Sequence, residues 1–457
     1  VRDRAFLWTG IVMSAYRRIG KWLLDGLWLI GLGLYVIAGY KDVPFHGDES
    51  TLIFMSKDYA YLVQQHDLDR VLYRDPPVDP TEQELRLLNG TVGKMAMGVA
   101  WDLAGFHASD INDGWAWGED WWTNVALGHI PKVPVWRAAR LSSTLLTVIS
   151  GWAVFGIARL AARNRPAAYA ASLIYVTTPA VLLNGRRAMM EGSMLCFSAL
   201  AALAALVILR EQARVERRGR TLTAWYAVFG VACGFALASK HNTLITVGAM
   251  FLAVAAEPVV VRRWTESTRD RFKSELWRHS LRLVEAGVLT VLVFLALNPA
   301  WWSDPLGMPE RVATMRRDML NAQIASNREY SGWDARASEL VKQAFFAAPQ
   351  YYEVGEWKNI EYIVDQIRVY EGMPWTGRLG GPVWGVPLVI AFGLGIVELI
   401  GRWRDGPAGG ALLWVGVTAL ALLISTPFAW QRYYLPLQAP LAVVAGAGVW
   451  RAGSYVV

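Results

Sequence analysis

A chain of 457 residues with 54% hydrophobic and 18% charged residues and a mean hydropathy of +0.26 is displaced from a soluble average toward a polytopic membrane protein. Its formal net charge of +7 does not point to nucleic acid, because the arginines fall in short clusters between apolar runs, where they act as topology determinants. The two cysteines, Cys196 and Cys233, lie inside apolar runs and exclude a disulfide framework or a thiolate metal site as an organising feature.

In chain order, residues 1–21 carry Arg2, Arg4, Arg17, Arg18 and Lys21 among aromatic and aliphatic residues, which suits an amphipathic segment on an anionic cytoplasmic leaflet. The run at 22–40 is too long for the core of a cleaved signal and has no small-residue cleavage pattern after it, so it reads as a retained span leading outward. Residues 41–136 form a first external segment. Within it, 51–63 and 87–106 show the apolar spacing of helices lying along the membrane surface, joined through the rigid Asp75 to Pro80 turn. The transmembrane core, 137–297, contains runs at 137–158, 167–184, 192–209, 222–239, 242–257 and 281–297. A second external segment covers 298–380, and 381–457 holds runs at 383–400, 410–424 and 430–450. Basic residues at 159–165, 210–220, 262–273, 402–404 and 451 follow alternate spans, which places both termini in the cytoplasm under the positive-inside rule. The expectation is an all-α bundle of about ten membrane helices, each run being near the length a bilayer core requires.

The chemistry gathers where spans meet the outer face. Pro44-Phe45-His46-Gly47-Asp48-Glu49-Ser50 follows the first span directly. Its adjacent carboxylates read either as acid chemistry at a membrane surface or as a solvated helix cap in which Asp48 accepts backbone N–H bonds. Arg186, Arg187 and Glu191 occupy the third external turn against the positive-inside pattern. They suit anion binding, or local neutralisation of Arg187 by Glu191 four residues on. Lys240 and His241 lie in a very short external turn, where the ammonium either snorkels or meets a phosphate. Arg432 opens the last run, and its planar guanidinium matches phosphate oxygens, while Tyr433 and Tyr434 also suit interface anchoring. Lys94 and Arg140 add cations on the same face. The tryptophans at 101, 115, 117, 121 and 122 fit an interfacial belt or sugar stacking, the belt being the usual role.

These elements, in order and on one side of the membrane, resemble the membrane-embedded GT-C glycosyltransferases, most nearly the protein O-mannosyltransferase and aminoarabinose lipid A transferase families. Asp48-Glu49 resembles their Asp-Glu pair after the first span. Asn89-Gly90-Thr91-Val92-Gly93-Lys94 matches the His-Pro-Pro-Leu-Gly-Lys element at Gly93 and Lys94 but not at the His and prolines. Ala138 to Ser143 resembles the Ala-Arg-Leu-Pro-Ser element, Gly185 to Glu191 the Ser-Arg-x-Ala-x-x-Asp/Glu element, Ser239-Lys240 the Thr-Lys turn, and Arg432 to Pro436 the Arg-Tyr-x-x-Pro element. The resemblance implies an extracytoplasmic transferase in the cell's inner membrane, with a polyprenyl-phosphate sugar as donor and membrane lipids around it. Asp48 is then the base, Glu49 its companion, and Lys240, Arg432, Arg187 and Arg186 bind the donor phosphate. His46, Lys94, Arg140, Glu191, His241 and Tyr433 support them. The acceptor, whether lipid, glycan or protein, and any membrane partner subunit stay open. No cofactor is required, since cations can stabilise the departing phosphate. A divalent ion on His46, Glu49 and His241 is compatible but lacks a recognisable ligand spacing. Two other readings are a GT-C-like assembly subunit without activity, and a lipid or solute transporter; the second is weakened because charge gathers at the outer surface and no inverted repeat is visible.

Overall fold

The computed structural model describes residues 2–213, 219–260, 269–326, 332–377 and 380–455. Every regular element among them is helical. Seven helices are long and apolar enough to cross a bilayer: Ile19–Ala38, Val133–Ala161, Glu191–Gln212, Gly219–Ser239, Lys273–Leu297, Pro382–Ile400 and Pro407–Ser425. The pair Arg165–Thr177 and Pro179–Arg186 makes an eighth if it is one span. The predicted runs at 242–257 and 430–450 are also helices, Leu244–Val260 and Leu435–Gly453. Of the basic loops at 210–220 and 262–273, residues 214–218 and 262–268 lie outside the described residues.

The run read as one span at 167–184 bends by 59°. Pro179 is the cause: its ring disfavours helical backbone at Thr178, which is extended (φ −65°, ψ 121°), and it starts a new helix at its own first position. The bend turns the second half inward, so Pro179–Arg186 is buried throughout and delivers the arginine pair to the interior.

Helices pack through small residues. Pro382–Ile400 lies directly on Leu435–Gly453, and a methyl added at Gly395 would stand 1.8 Å from the Val444 carbonyl oxygen, so only glycine admits this approach. The flanks remain apolar and exposed, as at Val284, Val288, Val291 and Leu292, in keeping with a lipid-facing surface.

At one end of the bundle two long segments interlock. The first surface helix begins at Gly47, earlier than the predicted Thr51, and the predicted 87–106 helix divides into Pro80–Leu88 and Thr91–Leu103. Phe45, fully buried, is ringed by Trp115, Trp121, Trp136 and Trp357 with centroids 5.5, 5.8, 5.5 and 6.1 Å away. Because Trp357 comes from the second long segment, this aromatic core fastens the two segments over the span ends. Trp101 is also buried, donating to the Ser56 hydroxyl at 2.9 Å.

Candidate functional site

The Pro44 to Ser50 stretch resolves into a capped helix start in which the adjacent acids face different ways. His46 is the N-cap: its Nδ1 accepts from the Asp48 N–H at 3.1 Å, and the Glu49 carboxylate accepts from the His46 N–H at 3.3 Å. This reciprocal arrangement satisfies two otherwise orphaned donors. The capping role considered for the Asp48 side chain therefore belongs to His46 and Glu49, and the Asp48 carboxylate is left for other partners.

Glu49 is completely enclosed. Arg140 donates to it twice, from Nε and Nη2, both at 2.7 Å; the Trp136 indole N–H donates at 3.0 Å and the Ala188 amide at 2.8 Å. Burial works against the ionised form, but the Arg140 guanidinium overcomes it and holds the carboxyl below its usual value. With its lone pairs occupied, Glu49 ties the helix start to the Val133–Ala161 span and to the third turn.

Asp48, 26% exposed, faces a cavity of about 1420 Å³. It pairs with Arg432, whose Nε also lies 3.3 Å from a Glu353 oxygen. Glu353 meets His46 Nε2 at 2.5 Å. Since His46 Nδ1 is an acceptor from backbone, the ring proton sits on Nε2 and is donated to Glu353. Asp48, Arg432, Glu353 and His46 thus close a ring drawn from both ends of the chain. Burial raises the Asp48 and Glu353 pKa values, yet Arg432 chiefly, with His46, pulls both below the ordinary carboxylate range. The linkage has one sign: stability from these carboxylates is complete above their ordinary values of 3.8 and 4.5 and is lost as pH falls through the depressed folded values. The apparent unfolding midpoint in detergent is accordingly expected to be insensitive to this network from neutral pH down to about pH 5 and to fall in stronger acid. A steep loss already between about pH 7 and 6 would contradict the assignment.

The opposite charges of the cavity arrive from span ends. Lys240 Nζ lies 2.5 Å from Glu191 Oε1, and the other Glu191 oxygen is buried with no hydrogen-bond partner among the described residues. Glu191 therefore neutralises Lys240, not Arg187. A close approach fixes this turn: a methyl on Gly90 would fall 2.0 Å from the Ser239 carbonyl oxygen. Tyr433 and Trp430 line the cavity beside Arg432.

Arg316 was not among the sequence candidates. It projects into the cavity from the Met308–Ser326 helix. No ion pair or hydrogen bond from it occurs among the described residues, and its Nε is buried without a partner. Burial pushes its pKa down, offset only by Tyr433. A half-buried guanidinium with no carboxylate beside it on a cavity lining is costly unless an anion meets it.

The remaining predicted residues sit elsewhere. Arg186 donates to the carbonyls of Val36, Tyr35 and Trp375 at 2.8, 2.9 and 2.6 Å, and Arg187 to those of Pro44 and Tyr351 at 3.2 and 2.6 Å. Both side chains are buried and outside the cavity lining, where they pin the long segments to the bent helix pair. Lys94 is enclosed with Asp58 at 2.6 Å, also away from the cavity. His241 packs against Trp301, centroids 6.4 Å apart, and burial lowers its pKa to about 4, keeping it neutral. Among the described residues no three His, Cys, Asp or Glu side chains gather as a metal site; His46, Glu49 and His241 each have separate partners.

Residues 91–298 match the family model described as dolichyl-phosphate-mannose-protein mannosyltransferase. The fold is similar to apo ArnT from Cupriavidus metallidurans, at 16% identity and a TM-score of 0.50, covering 96% of this chain and 62% of that one. It is similar also to the archaeal oligosaccharyltransferase AglB from Archaeoglobus fulgidus, solved with an inhibitory peptide and a dolichol-phosphate, at 11% identity and a TM-score of 0.50, covering 96% and 52% respectively. The chain thus spans less than two thirds of the length of either. No curated protein sequence matches it. The chain thus bears a distant resemblance, at low identity, to these GT-C glycosyltransferases, and what it shares with them is an all-helical, multi-pass membrane architecture.

Proposed function

We propose that this protein is a glycosyltransferase that moves a sugar from a polyprenyl-phosphate donor to an acceptor on the extracytoplasmic side of the cell membrane. In this reading the bundle has about ten spans, both termini face the cytoplasm, and the cavity end faces outward. The observation that carries the proposal is one cavity in which Asp48 shares the lining with Lys240, Arg316 and Arg432, alongside Glu191, Glu353 and Lys358. The matched family's description and the dolichol-phosphate of AglB support the choice of donor class.

The donor phosphate meets Arg316 first, because Lys240 and Arg432 already hold carboxylates. It then competes with Asp48 for Arg432. As the guanidinium turns to the phosphate, Asp48 loses the partner that depresses its basicity and becomes competent to accept a proton. The acceptor O–H or N–H attacks the anomeric carbon: its proton passes to Asp48, the new bond forms at that carbon, and the carbon–oxygen bond to phosphate breaks. The electron pair leaves on polyprenyl phosphate, whose added charge the three cations stabilise. Glu353 and His46 position Arg432, and Glu49 holds the helix that carries Asp48.

Proteoliposomes offered a panel of labelled polyprenyl-phosphate sugars should consume one of them and release polyprenyl phosphate. Binding of the lipid phosphate without turnover of any sugar would favour an inactive GT-C-like subunit instead. Arg316→Ala is the cleaner test of the phosphate site, since it leaves no carboxylate orphaned; donor affinity should fall about tenfold or more, the worth of a charged hydrogen bond. Lys240→Ala should also weaken donor binding more than acceptor binding, with some loss of stability from the unpaired charge left on buried Glu191. A rise in acceptor KM alone for either variant would count against the phosphate role.

A further inference from the structure

The cavity is larger than a lipid-phosphate sugar head needs. Small-molecule sites occupy roughly 300–1,000 Å³, whereas this one has about 1420 Å³ and so has room for two substrates. Besides Lys240, Arg316 and Arg432, its lining includes Asp113, Trp117, Glu356, Lys358 and Asn359 from the first and second long segments.

Trp117 is unlike the other tryptophans of its segment. Trp101, Trp115 and Trp121 are buried in the aromatic core, and Trp122 stands 73% exposed outside the cavity lining. Trp117 lines the cavity with 48% of its surface exposed, yet its ring is anchored on three sides. It lies nearly parallel to Trp357, at 12° and 6.1 Å, and tilts against Trp115 and His46 at 6.3 and 6.1 Å. Its six-membered ring also rests on Gly47, where an added methyl would be 2.9 Å from Cζ2 and Cη2. Gly47 immediately precedes Asp48, so the proposed base and the indole meet at the same helix start.

A held aromatic face beside a base suits a ligand with a flat, C–H-bearing face and a hydroxyl to be deprotonated. A pyranose ring is such a ligand. Its remaining hydroxyls can donate to Asp113 and Glu356, accept from the Lys358 ammonium, and both donate to and accept from the Asn359 amide. The two carboxylates against one ammonium among these residues disfavour an acceptor that is itself anionic, and the indole disfavours one that is wholly polar. We infer that Trp117 is the stacking platform of an acceptor subsite for a neutral glycan, so that the chain extends or decorates a saccharide. This assignment rests on the proposed transferase reading.

The test uses the full-length protein in nanodiscs, titrated without donor against maltotetraose, mannotetraose and cellotetraose, and against a threonine-containing peptide of similar length. Binding is read by tryptophan fluorescence and saturation-transfer NMR. At least one tetrasaccharide should bind at millimolar concentration, Trp117→Ala should weaken it about five- to tenfold, and Trp117→Phe should retain most of it, as expected for an aromatic contact. Undecaprenyl phosphate titrated in parallel should bind all three proteins equally, which controls for folding. Binding of the peptide but of no saccharide, binding of neither, or a Trp117→Ala protein with undiminished saccharide affinity overturns the glycan assignment. Because the saccharide arm contains no donor, its failure leaves the phosphate site standing; failure of wild-type protein to bind undecaprenyl phosphate overturns the donor reading instead.

Discussion

Replacing Asp48 by Asn is expected to abolish sugar transfer while donor binding is retained or tightened. The amide keeps the volume and can still accept a hydrogen bond from Arg432, so the helix start and cavity should persist. It cannot take a proton at neutral pH, and loss of a positioned general base costs typically about 10²–10⁴ in rate. The direction of the donor effect separates this mechanism from simple damage. In the proposed mechanism Asp48 and the donor phosphate compete for Arg432, so neutralising Asp48 should leave Arg432 more available to phosphate. Single-turnover transfer in proteoliposomes and lipid-phosphate titration of the same preparation provide both readings. Wild-type turnover would remove Asp48 from the mechanism, and a donor affinity reduced in parallel with turnover would remove the competition.

The second large effect is on stability. Arg140→Ala leaves Glu49 fully enclosed with its charge opposed only by N–H dipoles and the more distant Arg187. Removing one partner of a buried ion pair costs about 3–5 kcal/mol, and here it also removes a guanidinium lying 3.9 Å over the Trp136 ring. The double variant Glu49→Gln, Arg140→Met should recover a substantial part of that cost, since no isolated charge is left behind. A double-mutant cycle on apparent unfolding midpoints in detergent measures the coupling. If Arg140→Ala shifts the midpoint no more than a surface substitution does, Glu49 is not held as described.

The two acids show why part of this site could be read from sequence and part could not. Asp48, Glu191, Lys240 and Arg432 announce themselves because charge beside an apolar run is costly without a purpose, and the alternation of basic loops brings them to one side. Which of two adjacent acids faces the cavity depends on where the helix begins, and the N-cap is a histidine, outside the usual serine, threonine and aspartate signals. Arg186, Arg187 and Lys94 carry the same signal as Lys240, but their partners are backbone carbonyls and an aspartate 36 residues away, which no local pattern reveals. Arg316 and Glu353 come from the 298–380 segment, where no motif or periodicity marks them. The bend at Pro179 is not legible either, because the apolar run 167–184 has the length of one span and a proline inside it is compatible with a mere kink.

The ring of side chains around Asp48 bears on the order in which this protein is made. Glu49 finds Arg140 91 residues later, whereas Arg432 follows Asp48 by 384 residues. During synthesis the surface helix can therefore be anchored early, but its neighbouring carboxylate has to wait for the final helix before it is restrained. A nascent chain halted before residue 430 should show a protected Glu49 and an Asp48 open to carbodiimide labelling, and only the finished chain should protect both. Equal labelling of Asp48 in the two would show that other groups restrain it first. With Asp48 protected only in the finished chain, the cavity end of the protein matures last, because Trp430, Arg432 and Tyr433 complete its lining.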